Sequence, residues 1–411
     1  MLGTLAAGTS RIRGLAAGAD VRSTAEALRA LGVATSRLPE GDESLELSGP
    51  VTLESPSKVI DCGNSGTTAR LLLGLVAGRS ITAVLDGDAS LRRRPMRRVL
   101  DPLAAAGAVL REMGEPGRLP VAVSGGALRP IEHRTPVASA QVKSALLLAG
   151  VAAGVPVTVL EPGPSRDHTE LMLRAMDGRV ETAKLDSGWQ VRFEPAARPL
   201  QPLRMTVPGD FSSAAFWIAL AVLGCCGEGV RIEKVGLNPR RTGFLRALQS
   251  MGALVEERIA GDEGGEPVGD VVARSSALRG IEVPVEWLPA LLDEIPVLAA
   301  LAARAEGVTV IRGAEELRVK ESDRIATLHR NLGALGVRCR EWPDGLEVEG
   351  TSSPLSGQVV TEGDHRIAMA FGVLGATRGS QLAIDNRASV EISYPGFWDE
   401  LARAVDQTEA R

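Results

Sequence analysis

The feature that most constrains the fold of this chain is a unit that occurs six times along 411 residues. In each copy an apolar, helix-like stretch ends at a glycine, and a short run of alternating polarity follows, as in residues 308–311. The change of period from 3.6 to 2 indicates a helix followed by a strand. Successive glycines lie 70 to 78 residues apart, which predicts one structural unit used repeatedly. These glycines are Gly8, Gly78, Gly154, Gly229, Gly307 and Gly379.

A second helix-like stretch follows each strand and ends in a turn of the type Leu-x-x-x-Gly, for example at residues 103–107. Hairpin-like pieces such as residues 189–193 and 345–348 complete the unit. Each full copy thus holds two helices and several strands, and a mixed α/β fold is expected.

The length of the chain predicts two or three domains, and the six repeats favour two domains of three units each. A break near Pro208 follows the proline-rich run 195–202. We expect an N-terminal domain at 1–208, whose first unit is short, and a C-terminal domain at 209–411. The acidic, glycine-rich stretch 261–269 is interpreted as a surface loop.

The composition is that of a globular protein, with 44% hydrophobic and 24% charged residues. The net charge of −5 comes without a long block of like charges, so nothing indicates nucleic acid binding. The longest apolar run, residues 214–226, is shorter than the ~20 residues that cross a bilayer. Four cysteines without metal-ligand spacing are typical of a reduced, cytoplasmic protein.

Basic residues stand where the second helices are predicted to begin, although a helix start is the positive end of its dipole. Such a placement costs stability unless an anion lies between the cations and the free backbone N–H groups. Phosphate and carboxylate are the anions that a planar guanidinium binds with two parallel hydrogen bonds. The alternative is that these cations are solvated or paired with neighbouring carboxylates. The sequences are Arg92-Arg93-Arg94-Pro95, Ser165-Arg166-Asp167, Pro239-Arg240-Arg241 and Arg318-Val319-Lys320-Glu321-Ser322-Asp323-Arg324.

Few residues are candidates for proton transfer. Asp293 and Glu294 begin an otherwise apolar helix, so they either cap it or bury a carboxylate for chemistry. Glu321 lies between Lys320 and Ser322, and it is either a simple salt-bridge partner or, with Lys320, an acid/base pair in an anion site. His365 is either a satisfied ring at a helix start or a site residue. The chain has no P-loop sequence, so that kind of nucleotide site is not indicated.

Seven short motifs occur in a fixed order. They are Gly63-Asn64-Ser65-Gly66-Thr67, Leu91-Arg92-Arg93-Arg94-Pro95-Met96, Ser139-Ala140-Gln141-Val142-Lys143-Ser144-Ala145, Ser165-Arg166-Asp167-His168-Thr169-Glu170, Asp293-Glu294-Ile295-Pro296, Arg318-Val319-Lys320-Glu321-Ser322-Asp323-Arg324 and Gly363-Asp364-His365-Arg366. Over about residues 1–399 the chain resembles the 5-enolpyruvylshikimate-3-phosphate synthases. The resemblance rests on all seven motifs in order rather than on any one of them.

The resemblance implies a fold of two inside-out α/β barrel domains, each made of three βαβαββ units. It implies transfer of the enolpyruvyl group of phosphoenolpyruvate to the 5-hydroxyl of shikimate 3-phosphate, with release of phosphate. This transferase step belongs to the shikimate pathway, which leads to chorismate and the aromatic amino acids. No metal or organic cofactor is expected, and the enzyme is expected to be a monomer whose partners are these two small molecules.

The resemblance also implies roles for individual residues. Asp293 matches the family's base for the 5-hydroxyl, and Lys320 and Glu321 match groups near the enolpyruvyl carbon. Both kinds of group are needed because the hydroxyl loses a proton while the methylene carbon gains one. The residues matched to shikimate 3-phosphate are Ser139, Ala140, Gln141, Ser165, Arg166, Asp293 and Lys320. Those matched to phosphoenolpyruvate are Asn64, Gly66, Thr67, Arg94, Gln141, Arg324, His365 and Arg366.

The chain departs from the family in two places. The family carries a Lys-Ser-x-Ser/Thr-His-Arg segment before the apolar helix that corresponds to residues 1–7, and this sequence lacks it. Ile392 stands where some members have a lysine. We therefore expect the family fold over most of the chain, with strongly reduced activity.

Two alternatives stay open. The missing segment allows a catalytically impaired protein that only binds anions. The sister family that transfers enolpyruvyl to UDP-N-acetylglucosamine is less favoured, because it uses a loop cysteine near the position of residues 92–95 and this chain has none there.

Overall fold

The computed structural model describes residues 1–16, 18–38 and 43–409. They form two compact units. Unit 1 comprises Met1–Val207 with Glu263–Glu266, and unit 2 comprises Pro208–Asp262 and Pro267–Arg411. Each unit has its own hydrophobic core, built mainly of aliphatic side chains. None of the described helices combines the length and the apolar character that a bilayer crossing requires.

Unit 1 begins with the short 3-10 helix Leu2–Leu5. Its strands are β1 (Gly8–Arg13), β2 (Ser44–Gly49), β3 (Ile60–Asp61), β4 (Thr82–Asp86), β5 (Val109–Glu112), β6 (Val121–Ser124), β7 (Ile131–Arg134), β8 (Val157–Glu161), β9 (Arg179–Leu185), β10 (Gly188–Glu194) and β11 (Arg204–Thr206). Its helices are α1 (Ala19–Ala30), α2 (Gly66–Ala77), α3 (Ala89–Arg93), α4 (Arg97–Ala106), α5 (Ala140–Ala153) and α6 (His168–Ala175).

Two four-stranded sheets of unit 1 have the same topology, with strand orders β3-β4-β6-β5 and β7-β8-β10-β9. In each sheet the first two strands run parallel and the remaining neighbours run antiparallel. A third sheet has the order β11-β1-β2, with β11 parallel to β1. A parallel pair needs a crossover, here a helix, whereas the antiparallel pair closes as a hairpin. The predicted βαβαββ repeat is confirmed.

Unit 2 repeats the pattern. Its strands are β12 (Val230–Gly236), β13 (Leu254–Glu263), β14 (Glu266–Arg274), β15 (Glu282–Val283), β16 (Val308–Ile311), β17 (Arg338–Trp342), β18 (Gly345–Glu349), β19 (Ser356–Val359) and β20 (Gln381–Ile384). Its α-helices are α7 (Phe211–Val222), α8 (Gly243–Ser250), α9 (Ile295–Ala302), α10 (Arg324–Ala334), α11 (His365–Gly375) and α12 (Phe397–Glu409). The 3-10 helices are Val285–Ala290, Leu292–Glu294, Glu315–Val319 and Arg387–Ile392. The sheets are β12-β14-β13, β15-β16-β18-β17 and β19-β20.

The first helix of each full repeat lies inside its unit because its sequence is apolar on every side. All eight residues of α9 are buried, as are ten of the fourteen in α5. The second helices, such as α1 and α4, are amphipathic and bury one face only. α2 and α5 approach so closely that a Cβ at Gly74 would lie 2.0 Å from Ala145 O. Helices inside and half-exposed sheets outside form the predicted inside-out arrangement.

The repeat glycines serve two physical purposes. Gly154 ends α5 in the left-handed conformation, with φ of 70°. Gly78 has an ordinary φ of −81°, but a Cβ there would lie 2.5 Å from Ala149 O. The same residue type therefore recurs either because the backbone turns left-handed or because another backbone lies too close for a side chain.

Three local predictions are wrong. The stretch 261–269 is a β-hairpin, in which Gly264 and Gly265 form the tight turn between β13 and β14. Residues 1–7 contain a 3-10 helix rather than an α-helix. Arg92 and Arg93 lie in the last turn of α3, where the helix dipole favours cations, and the next helix begins only at Arg97.

Candidate active site

Two guanidinium groups lie against the start of α2 in unit 1. Ser65 caps this helix, and its Oγ accepts a hydrogen bond from Thr68 N at 3.2 Å. Gly66 is the first helical residue, and a Cβ there would lie 2.8 Å from Arg70 Nη1 and 3.3 Å from Arg94 Nη1. The absence of a side chain therefore makes room for both groups. Cations beside free backbone N–H groups form an arrangement suited to an anion.

Polar side chains orient these arginines. Arg94 Nη2 donates to Asn64 Oδ1 at 2.7 Å. Arg70 Nη1 donates to Gln141 Oε1 at 2.6 Å, and Gln141 Nε2 donates to Thr67 Oγ1 at 2.9 Å. Gln141 thereby joins the start of α5 to that of α2. The structure brings the unit 1 residues matched to phosphoenolpyruvate together in one group.

A second polar group of unit 1 surrounds the carboxylate of Glu161, the last residue of β8. Oε1 accepts a hydrogen bond from Ser139 N at 3.0 Å, and Oε2 accepts one from Ser165 Oγ at 2.9 Å. Lys143 Nζ lies 3.1 Å from Glu161 Oε2 and 2.8 Å from Glu170 Oε1. The lysine and both glutamate side chains are 0% exposed. Burial raises the pKa of Glu170, although the charge of Lys143 opposes the shift.

The other residues that unit 1 contributes to the shikimate 3-phosphate prediction lie next to this group. Ala140 is the first residue of α5 and directly follows Ser139. Arg166 is half-buried and follows Ser165 in the loop before α6. Since Glu161 contacts Ser139 and Ser165, the starts of α5 and α6 are joined through one buried carboxylate.

Asp293 lies between two cations in unit 2, within the 3-10 helix that precedes α9. Its Oδ1 lies 3.5 Å from Lys320 Nζ and 3.6 Å from Arg324 Nη1. Nearby positive charges stabilise the ionised form of a carboxylate. The side chain is 13% exposed, so it keeps access to solvent. An accessible carboxylate can accept a proton from a bound hydroxyl.

Arg324 is the centre of a buried ionic network at the start of α10. Its Nε donates to Asp364 Oδ2 and its Nη2 to Glu321 Oε2, both at 2.7 Å. Burial disfavours the charge of Arg324, but these carboxylates outweigh burial and raise its pKa. Burial likewise would raise the pKa of Asp364, but the charge and hydrogen bonds of Arg324 lower it. Asp364 also caps α11, so the network joins the starts of α10 and α11.

His365 and Arg366 follow this cap on α11. Burial lowers the pKa of His365 to about 4, and the charge of Arg366 acts in the same direction. The ring is therefore neutral at pH 7. Arg366 Nη1 donates to the backbone O of Asp293 at 3.1 Å and lies 3.7 Å from Glu294 Oε1. Unit 2 thus holds one connected group of predicted residues, namely Asp293, Lys320, Glu321, Arg324, His365 and Arg366.

Some cations of the helix-start motifs are paired with protein carboxylates. Arg92 Nε donates to Asp86 Oδ1 at 2.8 Å. Arg318 contacts Asp323 and Glu341, each at 2.8 Å. For these two arginines the pairing alternative is correct, and the inference that a bound anion must balance them is wrong.

For several residues of the polar groups described above, the sequence predicted no functional role. Arg70 is a charged residue in an otherwise apolar helix, and this pattern in the sequence indicates that its guanidinium has polar partners. Glu161 shares the inward parity of Val157 and Val159 on β8, so the alternation also indicates its burial. Asp364 is indistinguishable in sequence from an ordinary helix cap.

A further buried polar group lies in unit 2 around Glu294. Its Oε1 accepts a hydrogen bond from Ser212 Oγ at 2.5 Å and lies 3.5 Å from Arg241 Nη2. The Arg240-Arg241 motif therefore places Arg241 beside a buried carboxylate. Of the two acids that precede α9, Glu294 is the structural one and Asp293 the accessible one.

Comparison with known proteins gives the family. The family described as EPSP synthase (3-phosphoshikimate 1-carboxyvinyltransferase) matches residues 1–401. The chain belongs to the EPSP synthase family. A relative from Synechococcus sp. (strain CC9605), named 3-phosphoshikimate 1-carboxyvinyltransferase, is 47% identical over 406 residues. The match covers 98% of this chain and 91% of that relative, so the predicted family is confirmed.

Solved structures agree in fold. EPSP synthase from Acinetobacter baumannii superposes with a TM-score of 0.84 at 39% identity, covering 98% of this chain and 92% of the other. The enolpyruvyl transferase NikO from Streptomyces tendae superposes with a TM-score of 0.74 at 21% identity, covering 98% and 90%. The second likeness concerns the fold alone. Together they confirm the predicted two-domain enolpyruvyl transferase fold.

Proposed function

We propose that this protein transfers the enolpyruvyl group of phosphoenolpyruvate to the 5-hydroxyl of shikimate 3-phosphate and releases phosphate. The observation that carries the proposal is the accessible carboxylate of Asp293, held within 4 Å of both Lys320 and Arg324 in a chain of this family. As the family resemblance implies, we expect a cytoplasmic monomer that takes two small anionic substrates.

The chemistry needs two proton transfers in the addition step. The 5-hydroxyl loses its proton as its oxygen bonds to the central carbon of phosphoenolpyruvate, and we assign that proton to Asp293. The methylene carbon gains a proton and becomes a methyl group, and we assign the donor to Lys320 with Glu321 beside it. The methyl group then returns a proton to Lys320 as the bond to phosphate breaks, which restores the double bond and releases phosphate.

We assign the anion sites by unit. In unit 1 the α2 start would hold phosphoenolpyruvate through Asn64, Gly66, Thr67, Arg94 and Gln141. In unit 2 the residues assigned to phosphoenolpyruvate are Arg324, His365 and Arg366. Shikimate 3-phosphate is assigned to Ser139, Ala140, Gln141, Ser165, Arg166, Asp293 and Lys320. Two guanidinium groups at a helix start support the first assignment, since both attract phosphate and carboxylate oxygens.

The test is a direct assay. Purified protein is incubated with shikimate 3-phosphate and phosphoenolpyruvate, while phosphate release and the enolpyruvyl product are measured by colorimetry and mass spectrometry. We expect both products to appear together in equal amounts.

The controls separate the alternatives. UDP-N-acetylglucosamine replaces shikimate 3-phosphate in a parallel reaction, and product in that reaction alone would assign the chain to the sister activity. Binding of shikimate 3-phosphate, measured by calorimetry, without any phosphate release would contradict the proposal and support an anion-binding protein.

A further inference from the structure

The carboxylate of Glu161 joins two segments that are far apart in sequence. It accepts a hydrogen bond from the backbone N of Ser139, at the start of α5, and another from the hydroxyl of Ser165, in the loop before α6. Its side chain has no exposure to solvent. It therefore cannot touch a ligand in solvent directly, and it acts only through the residues it holds.

We infer that Glu161, together with Lys143, is a positioning device that sets the spacing between Ser139 and Ser165 for the phosphate of shikimate 3-phosphate. The inference rests on the proposed function, because that function supplies the ligand. Glu161 is a positioning residue rather than a catalytic one. The backbone of Ser139 and the hydroxyl of Ser165 are anchored to opposite oxygens of one rigid, planar group, so their separation is fixed.

The number of hydrogen-bond donors around Glu161 explains why Lys143 is part of this positioning group. A serine hydroxyl has a single proton, which Ser165 directs to Glu161 Oε2 in this structure. If Ser165 turns that proton towards a phosphate oxygen, Oε2 loses one partner. Lys143 Nζ lies 3.1 Å from the same oxygen, so its positive charge still balances Oε2 after the serine proton has turned away.

The charges around Lys143 provide a matched pair of variants. One lysine lies between two buried carboxylates, Glu161 and Glu170. Glu161→Gln and Glu170→Gln each remove one negative charge beside the same lysine and each leave one carboxylate to pair with it. Neither variant therefore leaves the buried lysine without a carboxylate partner, and both variants are expected to fold. Of these two glutamates, Glu161 is the one that accepts hydrogen bonds from Ser139 N and Ser165 Oγ.

The experiment compares these two variants with the wild-type protein. Calorimetry measures the Kd for shikimate 3-phosphate, and steady-state assays measure kcat and the KM of each substrate. We expect Glu161→Gln to raise the Kd and KM for shikimate 3-phosphate about tenfold, because two hydrogen bonds to a charged group are weakened. The KM for phosphoenolpyruvate should change less than about twofold, because substitutions at separate groups act largely independently. Glu170→Gln should leave both constants near wild type.

A second readout does not depend on the ligand. Hydrogen–deuterium exchange of residues 137–145 and 163–170 should become faster in Glu161→Gln in both segments, and faster than in Glu170→Gln. Equal exchange in the two variants, or an unchanged Kd in Glu161→Gln, would overturn the inference. A wild-type protein that bound no shikimate 3-phosphate would overturn the proposed function and this ligand together, whereas wild-type binding with an unaffected Glu161→Gln variant overturns the inference alone.

Discussion

The guanidinium of Arg324 and the carboxylate of Asp364 form an ion pair that is shut off from water, with Nε 2.7 Å from Oδ2 and exposures of 1% and 0%. The two residues begin neighbouring elements of unit 2, since Arg324 starts α10 and Asp364 caps α11. A buried charge is tolerated only while its partner is present. Arg324 also contacts Glu321, and Asp364 accepts a hydrogen bond from the backbone N of Arg366, so the pair fixes the positions of both residues. It also makes unit 2 sensitive to the loss of either member.

Asp364→Asn should destabilise the protein. The change leaves the guanidinium of Arg324 buried with less negative charge around it, and breaking a buried pair costs about 3 kcal/mol. Urea unfolding followed by circular dichroism measures the loss. Glu256→Gln is the control, because Glu256 pairs with Arg258 on the exposed face of β13 and its loss should not move the unfolding midpoint. Equal midpoints for Asp364→Asn and wild type would contradict the structural role given to this pair.

The free energy of unfolding should fall as the pH drops from about 6.5 towards 4. His365 has a pKa of about 4 in the folded protein, and an unfolded histidine has a pKa near 6.5. Between these values the unfolded chain binds a proton that the folded chain does not, so acid favours unfolding. The contribution is fully present above pH 6.5, and its loss amounts to roughly 3 kcal/mol by pH 4.

The measurement is urea unfolding at several pH values in this range for wild type and His365→Asn. The variant should lose part of the pH dependence, while other groups continue to supply the rest. An identical slope in both proteins would show that the ring titrates normally in the fold.

Asp293→Asn should abolish most of the turnover while the fold is retained. The amide has the same shape but cannot take the proton of the attacking hydroxyl, and removal of a general base lowers kcat by about 10² to 10⁴. The rate of phosphate release is the readout, with circular dichroism to check folding. Asp344→Asn is the matched control, because Asp344 lies in a surface turn where it pairs with Arg312. Full activity in Asp293→Asn would remove this residue from the mechanism.

Gly66→Ala should weaken phosphoenolpyruvate binding. The added Cβ would lie 2.8 Å from Arg70 Nη1, so that guanidinium must move away from the α2 start. We expect the KM for phosphoenolpyruvate to rise about tenfold, the effect of losing about one charged hydrogen bond. Gly333→Ala is the control, because Gly333 is an exposed helical residue with no atom within 4 Å of the new Cβ. It should leave KM unchanged and stabilise α10 by up to about 1 kcal/mol.

The architecture is predictable from the sequence because the signals for it are local and repeated. The helices that are apolar on all sides, such as α9, show directly which elements become interior. The positions of the arginines relative to the helix ends were predicted less well. Arg92 and Arg93 precede a proline, and the sequence alone does not reveal that α3 ends there and that α4 starts four residues after Arg93. Helix boundaries depend on which backbone groups find partners, and a short helix leaves little periodicity to read.

The order of residues along the chain was sufficient to establish the repeat, the α/β class, the family and the set of candidate site residues. It was sufficient because periodicity, glycine spacing and short motifs depend on neighbours in sequence. Pairings such as Glu161 with Ser139 and Ser165, or Arg324 with Asp364, join residues 4 to 40 positions apart through burial. The sequence does not distinguish an exposed carboxylate from a buried one. Only the tertiary structure excludes solvent from a side chain and determines which charged or polar partners it contacts.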